Sequence, residues 1–362
     1  MSTAAAASQG VEPDLIARRE GGAGVIRLNR PKAINAVTLE MFREVDRALD
    51  RFKADPAVGV ILLEGAGERG LCAGGDIRAL YESSKLRGDL GKILWREEYI
   101  LNARIAKFAK PYVALMDGIV MGGGVGLSAH SSHRVVTDRT RLAMPEVGLG
   151  FFPDVGGTWL LSHAPGEIGT YFGLTGQTMN GPDAVYAGFA DAVVPVGKLP
   201  ALREELTKLR AGVSKAEVTS LVDSFATGET AGPVAALRPQ IDGWFAHDRM
   251  QDIFAALERD GSELAQSTLR TLNEKSPRGM VVTLKLLRLA RQSSSLEQCL
   301  VREYRAALEV FASDDFREGV RAAVIDKDRD PKWSPPRIED VTPEMLAPYF
   351  ASLSKDELVF DQ

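Results

Sequence analysis

Cysteine is almost missing from this 362-residue chain: only Cys72 and Cys299 carry a thiol, and they stand far apart. Two distant thiols exclude a disulfide framework and point to a reducing compartment. Histidine is nearly as scarce, with 4 copies. His130 and His133 stand three apart, yet no third ligand accompanies them, so no metal site is expected. Positive charge is not in excess either, since 44 Lys and Arg face 49 Asp and Glu for a net charge of −5. That balance argues against general nucleic-acid binding. No apolar run approaches the roughly 20 residues of a membrane span. The first ten residues lack a secretory signal and the arginines of a mitochondrial transit peptide, and Val359-Phe-Asp-Gln362 is not a peroxisomal address. These absences lead us to expect a cytoplasmic protein with a short disordered leader over residues 1–12.

Hydrophobic residues make up 45% of the chain and charged residues 26%, enough for a large buried core. The first half alternates apolar strands with helical stretches. Val25–Asn29, Gly59–Leu63, Tyr112–Met116, Arg134–Thr137 and Asp191–Val194 read as strands. Thr38 caps a helix whose apolar positions, Leu39, Phe42, Val45 and Leu49, share one face. A second helix is predicted over Trp95–Phe108. After about Pro200 the strand signal fades, and Leu202–Leu209, Asp252–Arg259, Met280–Arg291 and Leu296–Ala312 carry helical periodicity. The pattern predicts an α/β core over residues 13–200 and a helical region over 201–362.

Residues 118–157 carry most of the chemistry. Gly122, Gly123 and Gly124 follow an apolar strand and open a helix of small residues. Such a junction exposes backbone N–H groups that no side chain screens. They suit an anion, or an oxygen that becomes anionic during reaction. A second glycine loop, Ala73-Gly-Gly-Asp76, lies earlier. Each loop could aim one N–H at the same acyl oxygen; equally, glycines let strands turn and helices pack closely. Neither loop has the spacing of a dinucleotide fingerprint or a Walker A motif.

Two carboxylates follow, Glu146 and Asp154, eight residues apart among apolar residues and glycines. Glu146 suits a base or nucleophile, or a helix cap. Asp154 suits an N-cap for a helix starting near Val155, a role compatible with catalysis. Glu98, beside Tyr99, lies either on a helix surface or against a pocket. Gly126-Leu-Ser128 lacks the nucleophile elbow of a serine hydrolase. Cys72, with no histidine nearby in sequence, reads as a small core residue.

Several dispersed segments together resemble the crotonase (enoyl-CoA hydratase/isomerase) superfamily. They are Arg30–Ala36, Leu71–Ile77, Lys110–Ala114, Met121–Gly124 and Ala143–Glu146, with Phe316–Ala322 and Lys327–Trp333 in the tail. The resemblance implies a spiral of β-β-α turns followed by a helical region, and an acyl-CoA thioester as substrate. By position, the amides of Gly75 and Gly123 would form an oxyanion hole. Ala73, Gly74, Asp76, Ile77 and Arg78 would run along the coenzyme A, beside Gly122. Lys32 and Arg78 would be phosphate contacts. No metal or redox cofactor is implied, because coenzyme A is part of the substrate. The superfamily often forms trimers and hexamers, so a homo-oligomer is one expectation; the other is that the helical tail folds back on its own core.

One departure shapes the expected activity. Hydratases of the superfamily use two glutamates, and here the first of those positions is Gly126, leaving Glu146. Asp154 stands where hydratases usually have glycine. Glycine at 126, the segments Met144-Pro-Glu146 and Gly150–Gly157, and Trp95–Tyr99 with Glu98 in a pocket position resemble the branch that hydrolyses 3-hydroxyacyl-CoA thioesters. The expected substrate is therefore 3-hydroxyisobutyryl-CoA or a close relative, as in valine breakdown. A hydratase or isomerase working with a single glutamate is the nearest rival, and a CoA-ester-binding protein without turnover is a rival of another class.

Overall fold

A computed structural model of the chain describes residues 12–360. The expected leader therefore lies outside the described residues, except for Glu12. The chain opens with β1 (Leu15–Glu20) and β2 (Ala23–Leu28), an antiparallel pair. Next comes α1 (Leu39–Ala54), capped as expected by Thr38, whose side chain accepts from the Met41 amide. Its apolar stripe buries Met41, Phe42, Val45 and Leu49.

From there the path repeats itself. β3 (Val60–Gly65) is followed by β4 (Gly70–Cys72), α2 (Ile77–Lys85) and α3 (Leu90–Ala106). β5 (Tyr112–Met116), β6 (Ile119–Met121) and α4 (Gly123–Ser128) form the next turn. β7 (His133–Val136), β8 (Arg141–Ala143), α5 (Gly157–Ser162), α6 (Ile168–Thr175) and α7 (Gly181–Tyr186) form another, and β9 (Ala192–Val193) ends the strands. One sheet runs β1-β2-β3-β5-β7-β9 and the other β4-β6-β8. Each turn thus gives one strand to each sheet before a helix returns the chain, which is the expected β-β-α spiral. All strand-to-strand pairings after the first hairpin are parallel, and the isolated bridges Gly70–Gly118 and Leu142–Met179 are antiparallel.

The larger sheet is covered on both faces, which explains its unbroken apolar strands. In β3, Ile61 and Leu63 point into the main core, whereas Val60 and Leu62 meet α8 (Leu199–Lys208) and α9 (Lys215–Phe225). The remaining helices are α10 (Val234–Phe245), α11 (Met250–Asp260), α12 (Glu263–Asn273), α13 (Pro277–Ala290), α14 (Leu296–Ala312), α15 (Asp314–Val320) and α16 (Pro343–Phe350). α14 packs on α3, α13 on α5, and α15 on α2. Residues 352–357 then reach back to this cluster. Arg96 of α3 donates to the Glu357 carbonyl at 3.2 Å, and Arg305 of α14 pairs with the Glu357 carboxylate at 2.8 Å. Among the described residues no helix is long and apolar enough to cross a membrane.

Candidate active site

The two glycine loops meet. The Ala73–Asp76 loop is pinned beside residues 34–37: the Ala73 amide donates to Ile34 O, the Val37 amide to Gly74 O and the Asp76 amide to Val37 O, each at 2.9 Å. Those bonds leave the Gly75 amide without a protein acceptor among the described residues. Across from it, Gly122 turns the chain from β6 into α4 at φ +47° and ψ −121°, a conformation open to glycine alone. The Gly123 amide, in the first helical turn, has no intrahelical partner. A Cβ on Gly123 would lie 3.6 Å from the Gly75 nitrogen, so the two strand ends adjoin.

Three carboxyl groups converge here. Glu98 comes from α3, and its Oε1 lies 2.9 Å from where a Gly123 Cβ would be. Glu146 opens the short turn Glu146–Leu149 after β8, and its Oε1 lies 3.3 Å from a notional Gly122 Cβ. Asp154 follows on the same loop, where its Oδ2 accepts from the Tyr99 hydroxyl at 2.7 Å. Glu98, Glu146 and Asp154 are 3%, 8% and 5% exposed. Glu98 Oε1 and Glu146 Oε2 have no hydrogen-bond partner among the described residues.

Burial at this density favours the neutral acids. Desolvation, with the charges of Asp154 and Glu146 behind it, pushes Glu98 well above the ordinary carboxylate range. Glu146 is raised likewise, by burial and then by Asp154. Asp154 is pushed up to about 7, chiefly by burial; the Tyr99 bond opposes the rise and the Glu303 charge adds to it. A carboxyl that holds its proton more tightly folded than unfolded stabilises fully below the unfolded value near 4, and loses that contribution as pH rises through about 7. Asp154→Asn does not titrate there. The melting temperature of the wild type, measured against that variant, is therefore expected to gain as pH falls from about 7 toward 4. A difference independent of pH would contradict the assignment.

The carboxyl groups face a cavity of about 210 Å³. Its far wall is aromatic: Trp95 stacks on Phe151 with centroids 5.2 Å apart, and Phe316 of α15 tilts against Phe151 at 6.1 Å. Val324, from the turn after α15, completes that side. Of the expected substrate contacts, Ala73, Gly74, Ile77, Glu98 and Gly122 line the cavity together with Gly75, Gly123, Glu146 and Asp154.

Three do not. Asp76 caps α2 and pairs with Arg30 at 3.4 Å, Arg78 donates to the Val324 carbonyl at 2.8 Å, and Lys32 lies exposed on the Pro31–Ala33 turn. These three expectations came from the resemblance, and they concern the coenzyme A outside this cavity rather than its lining.

His130 and His133 each hold a backbone carbonyl. His130 is buried and pushed down to about 4 by desolvation, so its neutral ring donates from Nε2 to Val155 O at 2.7 Å. His133 Nε2 bonds Lys215 O at 2.9 Å. Cys72 is buried in β4, and its thiol is pushed up to about 12 by burial, which removes it as a nucleophile.

Sequence reasoning missed Glu303, which stands behind Asp154 on α14, as well as Phe151, Phe316 and Val324. A signal for Glu303 was available. Leu296, Cys299, Leu300, Glu303, Ala307 and Val310 recur at helical spacing, which sets a carboxylate on the buried stripe of α14.

Unpaired amides beside buried, proton-retaining carboxyls define a site suited to polarising a carbonyl and moving protons next to it. The chain belongs to the enoyl-CoA hydratase/isomerase family, whose profile matches residues 23–350. The 3-hydroxyisobutyryl-CoA hydrolase of Mus musculus is 42% identical over 352 residues, covering 96% of this chain and 91% of the mouse protein. The Homo sapiens enzyme of that name is 38% identical over the same shares. Among solved structures, a carnitinyl-CoA dehydratase from Mycobacterium thermoresistibile superposes with a TM-score of 0.90 at 42% identity, over 97% of this chain and 99% of that one. An enoyl-CoA hydratase from Rhodobacter sphaeroides gives 0.87 at 40%, over 96% and 100%. The mammalian hydrolases are mitochondrial, which corrects the cytoplasmic placement expected above. That expectation rested on a missing leader pattern, and a missing pattern carries no positional information.

Proposed function

We propose that this protein hydrolyses the thioester of 3-hydroxyisobutyryl-CoA, or of a close 3-hydroxyacyl-CoA, to the free hydroxy acid and coenzyme A, as in valine breakdown. The observation that carries the reading is Glu146: a buried carboxyl with a free Oε2, set beside the adjoining Gly75 and Gly123 amides. In this reading the thioester oxygen sits between those two N–H groups. Each donor of that kind contributes about 2.7–4 kcal/mol to the transition state. In its ionised form Glu146 either takes a proton from a water that attacks the carbonyl carbon, or attacks that carbon itself to give an acyl anhydride that water then hydrolyses; in both routes the C–S bond breaks and the departing thiolate takes up a proton. Asp154, held by Tyr99, positions the substrate hydroxyl or passes that proton. Glu98 lines the acyl pocket.

The position of the missing glutamate supports hydrolysis over hydration. Adding water across a C=C bond places a proton on carbon and activates water together, a task suited to two carboxylates on the reacting atoms. At Gly126 a Cβ would lie 2.9 Å from Asn102 Nδ2 and from Val155 Cβ, so no side chain fits there.

The test is to supply 3-hydroxyisobutyryl-CoA and crotonyl-CoA separately, reading free thiol in one and loss of enoyl absorbance in the other. Thiol release without hydration is expected. Hydration without thiol release would replace this reading with that of a single-glutamate hydratase. Binding without either product would make the protein a CoA-ester binder. For Asp154→Asn, discrimination between hydroxylated and plain acyl-CoA should weaken; unchanged selectivity would remove Asp154 from the hydroxyl contact.

A further inference from the structure

Glu303 lies outside the cavity lining, fully buried on α14. Its Oε2 accepts from the Gly156 amide at 2.7 Å, and its Oε1 from the Thr158 amide at 3.1 Å and from the Thr158 hydroxyl. Those donors belong to the turn that carries Asp154. The Gly157 amide donates to Asp154 O at 2.6 Å, closing a turn whose central residues, Val155 at φ +52° and Gly156 at φ +77°, are both left-handed. Glycine adopts that conformation freely, whereas a β-branched valine resists it. Such strain persists only where the surroundings over-determine it. Here His130 holds the Val155 carbonyl from one side and Glu303 holds the next amide from the other.

We propose that Glu303 is a positioning residue for Asp154: it pins the left-handed turn at Val155 and Gly156, and through that turn fixes where the Asp154 carboxyl stands. The inference rests on the role given to Asp154 under the proposed function. Electrostatics points the same way. Glu303 is itself pushed up to about 7, by burial against the opposing pull of Thr158 and Gly156, and its charge raises Asp154. The other titratable groups facing the pair are Glu98 and Tyr99 from α3, Glu146 from its turn, neutral His130 beyond α4 and the Cys299 thiol one turn back on α14; Arg302 on α14 offsets part of the charge on Glu303.

Glu303→Gln keeps the side-chain volume, removes the charge and turns one acceptor oxygen into a donor. One side of the turn then loses its hold. A misplacement on the scale of 1 Å costs about 10²-fold in rate. We expect kcat for thiol release to fall by about that factor, with KM for the CoA ester nearly unchanged. Thr158→Val removes only the hydroxyl donor and should lower kcat less.

Carbon-13 NMR titration of the Asp154 carboxyl reads the same coupling without turnover. Its midpoint should drop in Glu303→Gln, and by less in Thr158→Val. Folded variants with a midpoint that stays or rises, and with wild-type kcat, would overturn the proposal. If Glu303→Gln does not fold, Thr158→Val decides alone. A wild type that releases no thiol defeats the functional reading, and the NMR midpoint then decides this one separately.

Discussion

Glu146→Gln is expected to stop thiol release while leaving CoA-ester binding intact. Glutamine matches glutamate in size but can neither take a proton from water nor attack a carbonyl carbon. General-base catalysis alone is worth about 10²- to 10⁴-fold, and loss of a nucleophile removes the reaction outright. The fold should tolerate the change well, because Glu146 Oε2 has no protein partner to orphan. Stability at neutral pH should hold or improve, because one group in a crowded set of buried carboxyls no longer ionises. Equilibrium binding of a CoA ester, single-turnover thiol release and thermal denaturation together check the prediction. Full retained activity would remove Glu146 from the chemistry.

Gly126→Glu is expected to cost several kcal/mol of stability rather than to create a hydratase. On α4 a Cβ at residue 126 would lie 2.9 Å from Asn102 Nδ2 and Val155 Cβ, and 3.2 Å from Asn102 Oδ1. Overpacking of a close-packed interior typically costs about 1–3 kcal/mol. An unpaired buried carboxylate adds to that, or else stays protonated and useless as a base. Gly126→Ala should already show the steric part. Denaturant unfolding of both variants is the measurement, and a glutamate variant as stable as wild type would mean that α3 and α4 separate easily. Glycine at this position is thus packed against Asn102, one turn beyond Glu98 on α3, and against Val155.

Legibility differed from element to element. Tyr112–Met116 and Leu296–Ala312 were found at the predicted residues because a doubly covered strand and an amphipathic helix write long apolar patterns. The strands of the smaller sheet, Gly70–Cys72, Ile119–Met121 and Arg141–Ala143, span three residues each, too few for any alternation to register. β1 escaped because its outer positions are polar, as befits an edge. The site divided in the same way. Gly75, Gly123, Glu146 and Asp154 sit in local motifs that could be read in place. Phe316 and Val324 reach the cavity only because α15 folds back on α2, a long-range event that no local window contains.

That folding back also ties the cavity to the far end of the chain. α3, which carries Trp95, Glu98 and Tyr99, is held by Arg96 to a carbonyl 261 residues later, and Arg305 fastens α14 to that same residue, Glu357. During synthesis the glycine loops and all three cavity carboxyls emerge long before Phe316, Val324 and Glu357. Until those residues emerge, the cavity lacks the wall that Phe316 and Val324 supply. Contacts this distant in sequence slow folding. Closing that end of the chain on the spiral is what completes the wall of the cavity that the three carboxyls face.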